Sequence, residues 1–145
     1  MNKKELAIHE FKNGLNCSQT VLASYCEELS LDRPTALSIA AGFGSGMGRM
    51  QLTCGAVTGA FMAIGIYNGR KFENNADQKA KSAEMIQAFN KAFVKENKTI
   101  VCKDLLNFDI STPEGQQMAR ENNLFGTVCV KCIKDSIDIL DNLFK

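Results

Sequence analysis

Apolar residues recur every three to four positions along most of the chain, and no long stretch shows the strict alternation typical of a β-strand. The period is clearest in residues 74–97, where apolar residues such as Phe89 and Phe93 share one face and lysines and glutamates cover the other. Residues 127–144 repeat this pattern. The sequence therefore predicts an all-α bundle of six or seven helices, forming one domain over residues 1–145.

Capping residues mark where several of these helices begin and end. Gly14 can end a first helix over Asn2–Asn13, and Asn16 is a good N-cap for a second helix that runs on to Leu29. Asp32 can cap the third helix in the same way. These signals predict short helices joined by tight turns in the first third of the chain.

The most unusual stretch has glycine at every second position, at Gly42, Gly44, Gly46 and Gly48. Because glycine adopts positive φ and lets other backbone approach closely, we expect a loop of unusual geometry here. Residues 50–69 follow without a single charge, and small residues recur among them three and four positions apart. They predict a buried central helix, presented by the glycine loop and packed closely against a neighbouring helix.

Charge and hydropathy narrow the classes of partner. The net charge is +1, with acids and bases interspersed, which argues against nucleic acid as a partner. Residues 50–69 approach the ~20 residues that span a bilayer, but polar residues and glycines interrupt them, so we expect no membrane insertion. The N-terminal segment lacks the apolar region of a signal peptide, and we therefore expect a cytoplasmic protein.

Six cysteines are many for a cytoplasmic chain, where thiols stay reduced, so metal binding, redox chemistry and simple burial all remain open. Four are predicted in or beside the first turn of four different helices: Cys17, Cys54, Cys102 and Cys129. A helix start favours an anion and can lower a thiol pKa from about 8.5 to roughly 3.5–7.5. If these four helix starts converge, they form an electropositive pocket lined by thiols.

The remaining candidates have simpler interpretations. Cys26 is predicted in the second half of its helix, where the dipole opposes a thiolate, and we interpret it as a small packing residue. His9, the single histidine, lies among charged residues on a short helix and is interpreted as a surface residue.

Three stretches of the chain carry a family resemblance: Asn16-Cys17-Ser18-Gln19-Thr20-Val21-Leu22, the glycine loop followed by Cys54-Gly55-Ala56-Val57-Thr58-Gly59, and Val101-Cys102-Lys103-Asp104-Leu105-Leu106. Their order and spacing resemble the C_GCAxxG_C_C family of small bacterial and archaeal proteins, which is named for its cysteine pattern. Cys129 best fits the fourth cysteine. The resemblance covers nearly the whole chain and implies redox activity through the cysteines, without implying a substrate.

Cys132 departs from that family pattern, because it forms a CxxC motif with Cys129. Residues i and i+3 share a helix face, which allows a disulfide or two ligands for one metal ion. A thioredoxin-like interpretation would need a βαβ context, which the sequence lacks. The sequence leaves open whether Cys129 or the accessory Cys132 is the fourth functional thiol.

Two functions fit this constellation. The first is thiol redox chemistry, as in a thiol oxidoreductase that requires no cofactor: Cys54 acts as nucleophile, and Cys17, Cys102 or Cys129 resolves the intermediate by forming a disulfide. Its redox partner or small-molecule substrate is not identified by the sequence. The alternative is Zn²⁺ or an iron–sulfur cluster, with those four cysteines as the metal ligands.

The glycine loop is a further candidate site. Backbone N–H groups of Gly44, Gly46 and Gly48, with the side chain of Arg49, could hold an anion or a small carboxylate substrate, although the loop matches neither the GxGxxG nor the GK[ST] phosphate motif. The helix of small residues that follows would also suit a subunit contact, so a homodimer is compatible with the sequence.

Overall fold

The computed structural model describes residues 1–145 and consists of eight α-helices without a β-sheet. The helices are α1 (Lys3–Lys12), α2 (Cys17–Ala23), α3 (Arg33–Ala40), α4 (Gly55–Lys71), α5 (Asn75–Asn97), α6 (Cys102–Leu106), α7 (Pro113–Glu121) and α8 (Val130–Leu143). A π-helical turn, Phe125–Cys129, leads directly into α8. The predicted all-α class is confirmed, with one helix more than the larger of the two expected numbers.

Side-chain caps hold the starts of five helices. Asn16 and Asp32 accept hydrogen bonds from the backbone N–H groups of Gln19 and Thr35, as the sequence predicts. The same role at α1, α5 and α7 belongs to Asn2, Asn74 and Thr112. Each cap satisfies a backbone donor that the helix itself leaves unpaired, and such a cap typically contributes about 1 kcal/mol.

α2 ends at Ala23, so the predicted extension to Leu29 is wrong. The Ser24 hydroxyl donates to the Thr20 carbonyl at 2.7 Å, and the backbone N–H groups of Tyr25 and Cys26 bond three residues back instead of four. The chain therefore tightens into successive turns. Cys26 lies in one of these turns and not in a helix, half-buried against the main core, where it packs as expected.

α4 is the central helix and packs against α2, α5 and α8. Its small residues allow a very close approach to α2: a Cβ on Gly59 would lie 2.6 Å from the Ser18 carbonyl oxygen. The hydroxyls of Ser18 and Thr58 are hydrogen-bonded at 3.3 Å within the same contact. The predicted close packing is confirmed, and it occurs between two helices of one chain. None of the helices combines the length and apolar character that a membrane crossing requires.

A second, smaller apolar cluster lies apart from the main core and contains Cys102, Leu106, Ile110 and Ala119. All four lie within residues 102–124, a segment that includes α6 and α7 and is called the cap below. The cap packs against the π-helical turn, whose side chains Phe125, Val128 and Cys129 contact the cluster. The cap and the main core face each other across the site described next.

Candidate active site

The glycine loop adopts a left-handed backbone over five successive residues, 45–49, with φ values of +53°, +70°, +67°, +59° and +66°. Only two of the five, Gly46 and Gly48, are glycines. For an L-residue the left-handed region costs roughly 1–2 kcal/mol, so Ser45, Met47 and Arg49 are strained. The loop is closed by backbone hydrogen bonds, including one of 2.7 Å from the Gly48 N–H to the Gly42 carbonyl.

The loop is shaped around the start of α2. A Cβ on Gly44 would lie 2.5 Å from the Cβ of Asn16, so only glycine fits against this capping residue. Asn16 in turn donates from Nδ2 to the Ala41 carbonyl at 3.0 Å. These contacts fix the N-terminus of α2, and with it Cys17, its first residue.

Beyond the loop, residues 51–54 run antiparallel to residues 100–103. The Cys54 N–H donates to the Ile100 carbonyl at 2.7 Å, and the Cys102 N–H donates to the Leu52 carbonyl at 2.6 Å. This short pairing places the starts of α4 and α6 side by side. Two cysteines that are distant in sequence are thereby brought together by backbone hydrogen bonds.

Gln51 is a site residue that the sequence reasoning missed. It is 5% exposed and has positive φ, and its side-chain amide donates to the Phe108 carbonyl at 2.6 Å. Its Oε1 accepts a hydrogen bond from the Ile110 N–H at 2.9 Å. Gln51 therefore ties the cap to the extended segment that precedes Cys54. In the sequence, the one indication of this role is that Gln51 places a polar amide within a mainly apolar stretch.

A cavity of about 60 Å³ lies between the main core and the cap. Fourteen residues line it, eleven of them hydrophobic, and five of the six cysteines are among them. Those five are Cys17, Cys54, Cys102, Cys129 and Cys132. The structure thus brings together all four predicted cysteines and adds Cys132, whereas Cys26 lies outside.

The thiols in the cavity form two neighbouring pairs. The side chain of Cys54 lies within hydrogen-bonding range of Cys132, and the side chain of Cys17 lies within hydrogen-bonding range of Cys129. Cys102 lies close enough to Cys54 and Cys129, one member of each pair, for their charges to act on it. All are free thiols.

The surroundings of Cys54 favour its thiolate. A hydrogen bond from the Cys132 thiol lowers the pKa of Cys54, and the backbone N–H groups of Ala56 and Val57 at the start of α4 lower it further, against the effect of burial. Cys54 is the residue immediately before α4, and its side chain makes no capping hydrogen bond of close geometry. Its anion is therefore stabilised chiefly by the neighbouring thiol, with the helix start as a second contribution.

The other thiols are shifted in the opposite direction. The contact with Cys129, together with burial, raises the pKa of Cys17, and the contact with Cys54 and burial raise that of Cys132. Burial raises the pKa of Cys102 to about 12. The expectation that a helix start lowers the pKa is wrong for Cys17 and Cys102, because desolvation and neighbouring thiols outweigh the ends of their short helices.

Cys129 also differs from the prediction. It occupies the last position of the π-helical turn and has helical backbone angles, so the helix runs straight through it into α8. Cys129 therefore precedes α8 without lying at a helix N-terminus that has unpaired N–H groups. Such π-helical turns are frequent at functional sites.

The metal-binding alternative gains no support from the donor arrangement. Although five cysteines line one cavity, no group of three or more cysteine, histidine, aspartate or glutamate side chains is arranged to hold a metal ion. His9 is exposed on α1, as expected.

The candidate anion site lies apart from the thiols. Gly44, Gly48 and Arg49 line a shallow outer groove of about 410 Å³, while Gly46 is buried and does not line it. The groove shares only Asn16 and Ser45 with the cysteine cavity, and Arg49 is exposed. Arg49 therefore does not contribute positive charge to the wall of the cavity.

A sequence model of the family described as "Putative redox-active protein (C_GCAxxG_C_C)" matches residues 15–143 of the 145. The chain belongs to this family. The match spans α2 to α8 and includes every cysteine of the cavity. No curated protein and no solved structure matches the chain.

The central motif of this C_GCAxxG_C_C protein is Cys54-Gly55-Ala56-Val57-Thr58-Gly59. A Cβ on Gly55 would lie 3.0 Å from the Cβ of Cys17, which leaves no room for a cysteine there. In this chain the motif therefore presents its thiol from position 54.

Proposed function

We propose that this redox-active family member carries out thiol–disulfide exchange, with Cys54 as the nucleophile and Cys132 as the resolving thiol. The observation that supports this proposal is the contact between these two side chains, which lowers the pKa of Cys54 and raises that of Cys132. One thiol of the pair is thus prepared to attack, while the other holds its proton beside it.

The proposed reaction balances with a disulfide as the oxidant. The Cys54 thiolate attacks one sulfur of a substrate disulfide RSSR, forming a Cys54–S–S–R bond and releasing RS⁻. The Cys132 sulfur then attacks Cys54, its proton passes to the second leaving group, and RSH departs. The protein dithiol is oxidised to the Cys54–Cys132 disulfide, and RSSR is reduced to two thiols.

The cavity supports a substrate of low molecular weight. Its volume of about 60 Å³ corresponds to roughly four to six water-sized spheres. A –CH₂–S–S–CH₂– group is of that size, and the mainly apolar lining suits it. Cys54 is only 6% exposed, so a bulkier disulfide would have to displace the cap.

The other predicted resolving thiols are less well placed. Cys17 and Cys129 contact each other, whereas Cys54 and Cys129 act on Cys102 only through their charges and not through a direct side-chain contact. Cys132, absent from the expected family pattern, therefore replaces them in the proposal. We do not propose resident zinc or an iron–sulfur cluster, since the cysteines lack an arrangement suited to a metal ion.

The proposal is tested by adding one equivalent of cystamine to the reduced protein without oxygen. We expect two thiols per chain to be lost and mass spectrometry to map a Cys54–Cys132 disulfide. Cys54→Ser should lose none, while Cys132→Ser should accumulate a cysteamine adduct on Cys54. Cys26→Ser, outside the cavity, is the matched control and should behave like the parent protein.

A pH profile gives an independent readout. The alkylation rate of Cys54 should reach half its maximum below the ordinary thiol value of about 8.5. In Cys132→Ala the midpoint should move up, because the hydrogen-bond donor is lost. An unreactive parent protein, or the same two-thiol loss in Cys54→Ser, would overturn the proposal.

A further inference from the structure

We infer that Cys17 and Cys129 form a second dithiol site, which accepts the disulfide first made at Cys54 and Cys132, so that one chain gives up four electrons to two substrate disulfides. This inference rests on the proposed function, since the first disulfide must arise by that chemistry. Neither member of the second pair takes part in the exchange described above.

The second pair has the geometry that such a step requires. Cys17 and Cys129 are within hydrogen-bonding range of each other, and both line the cavity that holds Cys54 and Cys132. A disulfide between them would bring their sulfurs to about 2.05 Å. Both are free thiols, Cys17 buried and Cys129 half-buried.

The fold also brings the two cysteine pairs close to each other. The start of α4 lies against the start of α2, with a would-be Gly55 Cβ only 3.0 Å from the Cys17 Cβ. On the other side, Cys129 and Cys132 are separated by two residues on the continuous helix formed by the π-helical turn and α8. Two separate helix contacts therefore place one member of each pair beside a member of the other.

Cys102 lies between the pairs, near both Cys54 and Cys129. The hydrogen bond from its N–H to the Leu52 carbonyl holds the backbone of Cys102 in place. Because neither thiol makes a direct side-chain contact with it, Cys102 is a bystander and not a third acceptor of the disulfide.

The transfer needs no further oxidant. Cys17 or Cys129 gives up a proton and attacks a sulfur of the Cys54–Cys132 bond, and its partner then displaces that sulfur. One S–S bond breaks and one forms, while two S–H protons move to Cys54 and Cys132. The first pair is thereby returned to its reduced form and can reduce a second substrate disulfide.

The test is a titration of the reduced protein with cystamine up to a tenfold excess, followed by a count of thiols under denaturing conditions. We expect four of the six thiols to be lost in two steps, with disulfides mapped at Cys54–Cys132 and Cys17–Cys129. Cys129→Ser should stop at two thiols. Cys26→Ser should still lose four, which controls for the loss of any one cysteine.

The order of transfer is tested with Cys54→Ser, which should lose no thiols, because the second pair receives its disulfide only from the first. Formation of Cys17–Cys129 in that variant would overturn the transfer. A parent protein that stops at two thiols, mapped to Cys54–Cys132, would overturn the second site and leave the proposed function intact. A parent protein that loses none would overturn the proposed function itself.

Discussion

Replacing Gly59 with alanine should destabilise the protein, even though alanine is the better helix former. The new Cβ would lie 2.6 Å from the Ser18 carbonyl oxygen and 3.2 Å from the Val21 Cβ. An ordinary contact distance is about 3.4 Å, so α2 and α4 would have to separate by about 0.8 Å. The obstructing atom belongs to the backbone and cannot rotate away.

The expected magnitude follows from two opposing effects. Overpacking of this kind costs about 1–3 kcal/mol, and a backbone obstacle places this case at the upper end. Alanine returns about 0.5–1 kcal/mol through its helix propensity. We therefore expect a net loss of about 2 kcal/mol for Gly59→Ala, which lowers the urea midpoint by about 1 M if the slope is near 2 kcal/mol per molar.

Gly65→Ala provides the matched control within the same helix. Nothing lies within 4 Å of a Cβ at Gly65, so only the propensity effect remains, and a gain of about 0.5–1 kcal/mol is expected. Urea unfolding of both variants, followed by far-ultraviolet circular dichroism, measures the difference. Equal and stabilising effects at the two positions would refute the close packing of α4 on α2.

Two further predictions concern the loop and the buried thiols. Met47→Gly should stabilise the fold by up to about 1 kcal/mol, because Met47 has a φ of +67°, and a lower urea midpoint would argue against strain there. Raising the pH above about 9 should weaken the fold progressively through Cys102, whose pKa rises to about 12 on folding: the unfolded chain releases the proton while the folded one keeps it. Between pH 9.5 and 10.5 the ionisation of this thiol in the unfolded chain lowers the unfolding free energy by up to about 1.4 kcal/mol. The unfolding free energy of Cys102→Ser should therefore depend less steeply on pH. Identical slopes for the variant and the parent protein would contradict this pKa assignment.

The helices could be predicted because their signals are local. Asn16 and Asp32 cap the helices for which they were expected, and α5 occupies nearly the residues that its period indicated. The end of α2 could not be predicted from periodicity alone. Apolar spacing continues past Ala23, whereas the hydrogen bond from Ser24 to Thr20 decides the backbone.

The candidate site shows a similar division. Four cysteines in similar local settings indicated a shared pocket, and the structure places all four around one cavity. The pairing of Cys54 with Cys132 could not be deduced, because it depends on how α8 is rotated against α4, which no local pattern reports. The pKa of Cys102 was misjudged for a related reason: its burial depends on how Leu106, Ile110 and Ala119 pack around it, which the local sequence pattern does not report.

The two hydrogen bonds of Gln51 to the cap set a free-energy cost for opening the cysteine cavity. Each such bond contributes about 0.5–1.5 kcal/mol net, so releasing both costs about 1–3 kcal/mol. At that cost both bonds are broken in roughly 0.5–15% of the molecules, and the apparent affinity for a reactant that needs this form is reduced to that fraction of its intrinsic value. The reaction rate of a bulky disulfide would then depend on how often the Gln51 hydrogen bonds break, and not only on the reactivity of Cys54.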